Sequence, residues 1–314
     1  MDGYRLPAEW EPQSGVQLTW PHKDTDWAPM LEEVNLTYEA MASEIKKREP
    51  LLVVGPPTND TWARDHGFIT LTGPGEPMLL DFCFNGWGEK FPAELDNAIN
   101  RRLYDDCSVN GIYIDHLDFV LEGGSIESDG EGTIFTTSQC LLAPHRNQPL
   151  KKPQIEERLK QYLHAKRVLW IDYGHLEGDD TDGHIDTLVR IAPDNTLLYV
   201  KDPSLKLMEE QLRTFRTMQG EPYRLLPLPM PNTLFDEEGM PMPATYANFL
   251  IINEAVLCPT YNQPDTDRKA LETIASAFPD REIVGIDCQS LIRQHGSLHC
   301  CTMQYPEGVI STNK

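Results

Sequence analysis

Phe68-Ile69-Thr70-Leu71, then Gly73-Pro74-Gly75, then Met78-Leu79-Leu80-Asp81-Phe82-Cys83-Phe84: two β-rich runs flank a glycine and proline turn. A helical stretch follows from about Pro92 to Tyr104, and then the apolar run Ile112-Tyr113-Ile114. Short runs of β-branched and aromatic residues bounded by Gly and Pro read as strands, so this segment reads as hairpin, helix, strand. The same order restarts at Leu117, with a turn at Asp129-Gly130-Glu131-Gly132, a helix from Pro153 to His164 and a strand at Val168-Leu169-Trp170-Ile171. A third copy turns at Pro193-Asp194-Asn195, with a helix from Pro203 to Met218 and a strand from Tyr223 to Leu228. A fourth runs through the hairpin Tyr246 to Thr260, the helix Pro264 to Phe278 and the strand Glu282 to Ile286.

A fifth copy is complete only when both chain ends contribute: Leu298 to Gln304, Val16 to Trp20, the helix Met30 to Lys47 and the strand Leu51 to Val54. In that helix Leu31, Val34, Tyr38, Met41 and Ile45 recur at three and four, and Pro50 stops the segment. Five units in 314 residues imply an α/β chain whose short sheets radiate from an axis with helices outside. Closure by the two termini predicts a single domain over residues 1–314. An ordinary α/β sandwich is the other arrangement compatible with the alternation.

Composition narrows the partners. Lys plus Arg number 27 against 49 Asp plus Glu, a formal charge of −22. Such a chain repels phosphate backbones and anionic bilayers, which argues against nucleic-acid and membrane roles, and its field is compatible with a cationic small molecule. No leader-like start and no apolar run long enough to span a bilayer are present, so a cytoplasmic location is expected. The seven cysteines are scattered without a C-x-x-C pair, which opposes both a disulfide framework and a structural zinc site.

Three segments could carry chemistry. In Gly178-Asp179-Asp180-Thr181-Asp182-Gly183-His184-Ile185-Asp186 the chain reads as a strand after Gly183, placing His184, Asp186, Leu188 and Arg190 on one face. An imidazole beside a carboxylate serves acid–base chemistry or ligates a metal. Thr61-Trp62-Ala63-Arg64-Asp65-His66-Gly67 precedes a strand, and Gln294-His295-Gly296-Ser297-Leu298-His299-Cys300-Cys301 sets two thiols beside a histidine at an expected strand start. Consecutive residues on a strand face opposite ways, so one cysteine at most faces a site and the other is core. Asp65, Glu122, His184, Asn248 and Cys300 fall at intervals of 57, 62, 64 and 52 residues, about one unit each. In a ring they would converge on the axis, with Trp87 of Asn85-Gly86-Trp87-Gly88 as a flat wall.

The stretches Pro7-Ala8-Glu9-Trp10-Glu11-Pro12, Trp20-Pro21-His22, Trp62 to Gly67, Asn85 to Gly88, Leu121-Glu122-Gly123-Gly124-Ser125, Asp180 to Asp186 and His299-Cys300 resemble, in order and over nearly the whole chain, the agmatine deiminases. That family is similar to the bacterial peptidyl-arginine deiminases, in the guanidine-modifying (pentein) superfamily. The resemblance implies a five-bladed pseudo-symmetric α/β propeller, Cys300 as nucleophile, His184 as general acid/base, and Asp65 and Asp186 as carboxylates gripping a guanidinium. Trp87, Asp180, Asn248 and Glu122 are implied to lie in the substrate pocket. It also implies the putrescine route, pairing of two copies, and a reaction with no metal or organic cofactor. The pattern departs from the family at Gly67-Phe68, at Gln294-His295-Gly296-Ser297, where a glycine-rich turn ending in Asn is usual, and at Cys301-Thr302-Met303. Substrate identity is therefore less constrained than reaction class.

Two carboxylates suit a guanidinium because each accepts paired N–H bonds and fixes the plane for attack from above. Asp180 and the acidic composition favour agmatine, whose second charge is an amine. Free or peptidyl arginine are the alternative guanidino substrates, and a free carboxylate would need a basic partner such as Arg64 or Arg190. Two other classes fit parts of the pattern: a metal-dependent amidohydrolase using Asp180, Asp182, His184 and Asp186, and a ring that binds guanidino compounds without turnover.

Overall fold

The computed structural model describes residues 3–311. In chain order, β1 (Gln13–Thr19) is followed by helix α1 (Leu31–Lys46) and β2 (Leu51–Val54). β3 (Ile69–Leu71) and β4 (Met78–Cys83) precede α2 (Ile99–Asp105) and β5 (Ile112–Val120). β6 (Ile126–Ser128) and β7 (Thr133–Thr137) precede α3 (Lys152–Tyr162) and β8 (Arg167–Ile171). β9 (Val189–Ala192) and β10 (Thr196–Lys201) precede α4 (Lys206–Leu212) and β11 (Arg224–Pro229). A two-stranded excursion, β12 (Leu234–Phe235) and β13 (Pro241–Met242), intervenes before β14 (Leu250–Ile252), β15 (Ala255–Thr260), α5 (Pro264–Ala275) and β16 (Glu282–Asp287). β17 (Thr302–Pro306) ends the series.

These strands form five three-stranded sheets of one topology: β3-β4-β5, β6-β7-β8, β9-β10-β11, β14-β15-β16 and β17-β1-β2. In each, the first two strands are antiparallel and the second and third parallel. A parallel pair needs a crossover connection, usually a helix. Each unit supplies one. The fifth sheet joins the two ends of the chain, with Val16 opposite Gln304 and Leu18 opposite Thr302.

No sheet closes on itself, but each touches the next. The short helix Ala63–His66 packs on β1 and β17 and on the 3-10 turn Gly123–Ser125 ahead of β6; β6 meets β9, α5 meets β11, and α1 meets β16, returning to the first unit. Helix α1 fills its junction as its spacing predicts. Val34, Tyr38, Met41 and Ile45 are fully buried against Val16 and Leu18 of β1 and Leu250, Ile252 and Leu257 of the fourth hairpin, each such burial contributing roughly 1.5–3 kcal/mol.

Several expected spans shift. The helix expected over Pro203 to Met218 is a 3-10 turn at Pro203–Leu205 and then α4, ending at Leu212. The strand expected after Gly183 is instead a 3-10 turn at Ile185–Thr187, with β9 starting only at Val189. Asp179 explains the difference. Its carboxylate accepts from Thr181 Oγ1 (2.6 Å) and the Gly183 amide (2.6 Å), and Gly183 then takes φ +83°, which winds the chain before it can extend. Cys300 and Cys301 likewise sit in a turn, because β17 starts one residue later. Cys301 nevertheless packs in the core beside Tyr38, as expected of the second thiol.

Candidate active site

Asp65, Glu122, His184, Asn248 and Cys300 each lie two to five residues ahead of the first strand of their sheet. The turns that lead into the five sheets therefore bring these residues to one place. Gly124 is at its centre. A Cβ there would stand 2.6 Å from His184 Nδ1, 2.9 Å from Asp65 Oδ1 and 3.2 Å from Asp186 Oδ2, so only glycine lets these three groups approach one another.

Asp65 is buried, with both carboxylate oxygens engaged: Oδ1 accepts from the Gly124 amide (3.0 Å) and Oδ2 from Trp87 Nε1 (2.9 Å). Trp87 reaches it through a strained turn. Trp87 itself takes φ 57°, ψ 46°, while the Asn85 side chain accepts from the Gly88 amide. A left-handed conformation at a non-glycine costs about 1–3 kcal/mol and persists where the surroundings impose it. Gly86 is required beside it, since a Cβ there would lie 2.1 Å from the Phe91 carbonyl.

His184 is fully buried with Nδ1 3.6 Å from Asp65 Oδ1. Neither ring nitrogen has a hydrogen-bond partner among the described residues. Burial alone would lower its pKa, but the Asp65 carboxylate, with Cys140 next to the ring, holds it well above the ordinary histidine value. Burial, reinforced by Asp186 and Glu122, pushes Asp65 up to about 6 even though the His184 charge opposes this. Near neutral pH the two form a buried ion pair.

Asn248 fixes the thiol. Its side-chain oxygen accepts from the backbone amides of His299 (2.9 Å) and Cys300 (3.3 Å) and lies 3.4 Å from Cys300 Sγ. Sγ is also 3.9 Å from Asp186 Oδ2. Burial, then the Asp186 and Asp65 charges, raise the Cys300 thiol well above the ordinary cysteine value. Asp186 moves the other way. Its burial would raise it, but the hydrogen bond and charge of His299 hold it below the ordinary aspartate value. Oδ1 of Asp186 is left without a protein partner among the described residues.

Cys300, Asp65 and Trp87 form part of the wall of a cavity of about 340 Å³, which is completed by Asp26, Asp60, Trp62, Phe91, Asp180, Thr181 and the loop Gln294-His295-Gly296. No lysine or arginine lines it among the described residues, while four aspartates do. Burial pushes Asp60 up to about 6 and also raises Asp180, on which the His295 charge acts in opposition. The loop that departs from the family pattern is held across the opening: His295 Nδ1 is 2.8 Å from the Gly178 carbonyl, and Gln294 Nε2 donates to the Asp26 carbonyl at 3.1 Å.

A family model for the Porphyromonas-type peptidyl-arginine deiminases matches residues 5–306. The chain belongs to this family. A crystal structure named "Putative Arginine Deiminase" from Porphyromonas gingivalis is 48% identical, with a TM-score of 0.93, over 98% of this chain and 100% of that one. A cysteine-to-serine variant of the C. jejuni agmatine deiminase with substrate bound is 36% identical, with a TM-score of 0.90, over 97% of each chain. A protein of Vibrio parahaemolyticus named "Putative agmatine deiminase" is 34% identical over 97% of each chain.

Against this deiminase family the remaining expected residues divide. Asp180 lines the cavity. Glu122 lies next to the site but is fully buried and held by Arg146, whose Nε donates to both carboxylate oxygens at 3.0 and 3.3 Å. Arg190 is fully buried between Glu9 and Glu127, and Arg64 is buried among side chains outside the cavity. Neither can meet a substrate carboxylate in the cavity. Asp182, one of the four groups a metal site would have used, is bonded by Arg146 Nη1 (2.6 Å) and Lys90 (2.8 Å). Two other clusters have the spacing for a metal, Glu122-Cys140-His184 and Glu9-Glu127-His299. In each a guanidinium already neutralises the carboxylates, Arg146 on Glu122 and Arg190 on Glu9 and Glu127, so a divalent cation would compete with a buried positive charge there.

Asp26, Asp60, Gly124, Glu9 and the role of His299 are not evident from the sequence. Glu9, Gly124 and His299 all stand in the stretches that carry the resemblance, and His299 also stands beside the two thiols, but nothing local assigns them these partners.

Proposed function

We propose that this protein hydrolyses agmatine to N-carbamoylputrescine and ammonia, the chain acting as one catalytic domain. The observation that carries the reading is the convergence of Asp65, Asp186, His184 and Cys300 around Gly124, beside a cavity lined by four aspartates and, among the described residues, by no basic side chain but His295. The family relatives named for agmatine support the same substrate, and so does a relative that holds its substrate once a cysteine is replaced.

In this mechanism Asp65 and Asp186 hold the planar guanidinium and Trp87 bounds it. Cys300 is a thiol before the substrate enters, and the arriving cation offsets the carboxylate charges that oppose a thiolate, so the thiol proton leaves to solvent as the guanidinium docks. Cys300 Sγ attacks the guanidinium carbon, and His184 gives a proton to the departing ammonia, leaving a thiouronium on sulfur. His184 then takes a proton from water, whose oxygen attacks the same carbon; the C–S bond breaks, the remaining O–H proton of the product returns to sulfur, and the neutral ureido group leaves with the thiol restored. Asp60, Asp26 and Asp180 at the opening suit the distal ammonium of agmatine. Asn248 and Glu122 act behind the substrate, on the Cys300 turn and on Arg146.

A second reading, turnover of free or peptidyl arginine, is favoured by the family description and by the P. gingivalis relative. Free arginine is disfavoured because no guanidinium faces the cavity to receive its carboxylate. Pairing of two copies rests on the resemblance, and sedimentation of the purified protein tests it.

The test is mass spectrometry of agmatine, arginine and an arginyl peptide incubated with the protein, with Cys300→Ala and with chelator-treated protein. N-Carbamoylputrescine from native and chelated protein and none from the variant is the expected result. Agmatine left intact beside converted arginine or peptide would transfer the activity to the second reading.

A further inference from the structure

Behind Asp186 a file of charges runs away from the substrate cavity. Asp186 Oδ2 is 2.7 Å from His299 Nδ1, His299 Nε2 is 2.9 Å from Glu9 Oε2, and the same Glu9 oxygen accepts from Arg190 Nη2 at 2.7 Å. Arg190 Nε then meets Glu127, whose other oxygen accepts from the Ile191 amide. Every member is buried or nearly so. The file draws on the chain start, on the turn before β9, on β6 and β9, and on the turn before β17. Its geometry is over-determined: the second Glu9 oxygen accepts from the Ile251 amide (2.7 Å), and the His299 amide is held by Asn248.

The geometry points to His299 as a positioning residue that holds Asp186 ionised and turned so that its free oxygen faces the substrate, with Glu9 fixing the imidazole from behind. This deepens the proposed deiminase reading and rests on it. Against its burial, Arg190 and His299 hold Glu9 below the ordinary carboxylate range, and Asp186 is held low as well; with both carboxylates ionised their oxygens only accept, so both contacts are hydrogen bonds when both ring nitrogens carry a proton. The positive imidazole then lies between two anions. Asp186 Oδ2 is consumed by His299 and Oδ1 remains for a guanidinium N–H. Arg190, Glu127, Arg64 and, on the cavity side of Asp186, His184 with its partner Asp65 are the other charged groups acting on this file. With Glu9, Asp186 and Glu127 charged against Arg64 and Arg190, a positive His299 brings the buried set to balance; burial pushes the Glu127 carboxyl up, but both its oxygens accept from N–H groups, of Arg190 and of Ile191, which suits the ionised form. A neutral residue at position 299 would still hydrogen-bond Asp186 but would leave its charge uncompensated, and its pKa would rise.

The experiment is the pH dependence of kcat/KM for agmatine in the native protein, in His299→Gln and in His299→Gln/Glu9→Gln, where the paired change avoids an unpartnered buried carboxylate. In parallel, the rate of Cys300 alkylation by iodoacetamide is followed against pH by peptide mass spectrometry. In folded variants the Cys300 alkylation profile is expected to move up by about one pH unit, because a cation has been removed near the thiol, and the acid limb of kcat/KM, set in the native protein by Asp65, is expected to steepen as Asp186 rises toward it. Folded variants with unmoved profiles would overturn the proposal. So would failure of both variants to fold, which would make the pair a folding element only. Should the native protein leave agmatine intact, the substrate reading fails by itself, and the alkylation profiles still decide the role of His299.

Discussion

Asp65 shows most directly how burial sets the working range of the site. Its carboxylate takes hydrogen bonds from Trp87 and Gly124 and faces His184, yet burial beside Asp186 and Glu122 leaves it titrating at about 6. A guanidinium grip needs the ionised form. kcat/KM for agmatine is therefore expected to fall as pH drops through about 6. A bound cation holds the proton off, so the limb in kcat should lie at lower pH. The stability consequence has a definite sign: the folded pKa lies above the unfolded value, so the contribution of Asp65 is fully present below the unfolded pKa and is lost as pH rises through about 6. The site thus costs stability where it works. Initial rates over a pH series at low and at saturating agmatine check the activity side; a kcat/KM unchanged through that pH would remove Asp65 from the grip.

At the scale of elements, what the sequence makes legible follows from apolar runs, punctuation and helical period. The hairpin strands are short apolar runs bounded by Gly, Pro and Asp turns, and helix α1 carries an unbroken 3.6-residue pattern, so their places are legible to within a few residues, down to β2 at Leu51–Val54. The 3-10 turns are not. Three residues such as Ile185–Thr187 have no period, and the winding is imposed by one side chain, Asp179. The same holds for Glu9, whose partners His299, Arg190 and Ile251 are remote in sequence and leave no local trace. The 3-10 turn Gly123–Ser125 offers the sharpest test of element geometry. Gly124→Ala would push a methyl group to 2.6 Å from His184 Nδ1 and 2.9 Å from Asp65 Oδ1. Because a misplacement of about 1 Å at reacting groups costs on the order of 100-fold, kcat is expected to drop at least that far while the circular dichroism stays native. Steady-state kinetics and a thermal melt decide it, and an alanine variant with native kcat would show that the three groups need not meet there.

For the whole molecule, five like sheets contact one another in succession, and the one holding both chain ends is built as the others are. The position of the ends is then arbitrary with respect to the fold. Gly3 and Gly308 both lie against the Pro74–Pro77 turn, their Cβ positions 3.4 Å from Pro74 Cδ and 3.9 Å from Pro77 Cγ, so the segments at the two ends run close together and a flexible linker can bridge them. A new start can be opened where the backbone carries least. The turn at Gly220 suits this, because it is exposed and a Cβ there would meet no neighbour within 4 Å. Such openings are the ones proteins tolerate. A permutant starting at Gly220 is expected to melt cooperatively and to turn over agmatine, since every residue of the site keeps its sheet and its neighbours. Opening at Gly183 should abolish turnover even if the chain folds, because the cut frees the turn that carries His184 and Asp186 and removes the Asp179 bond to the Gly183 amide. Melting curves and product formation for the two permutants separate the cases. A Gly220 permutant that cannot fold would mean that the pairing of β1 with β17 depends on the native order of synthesis and is not equivalent to the other four junctions.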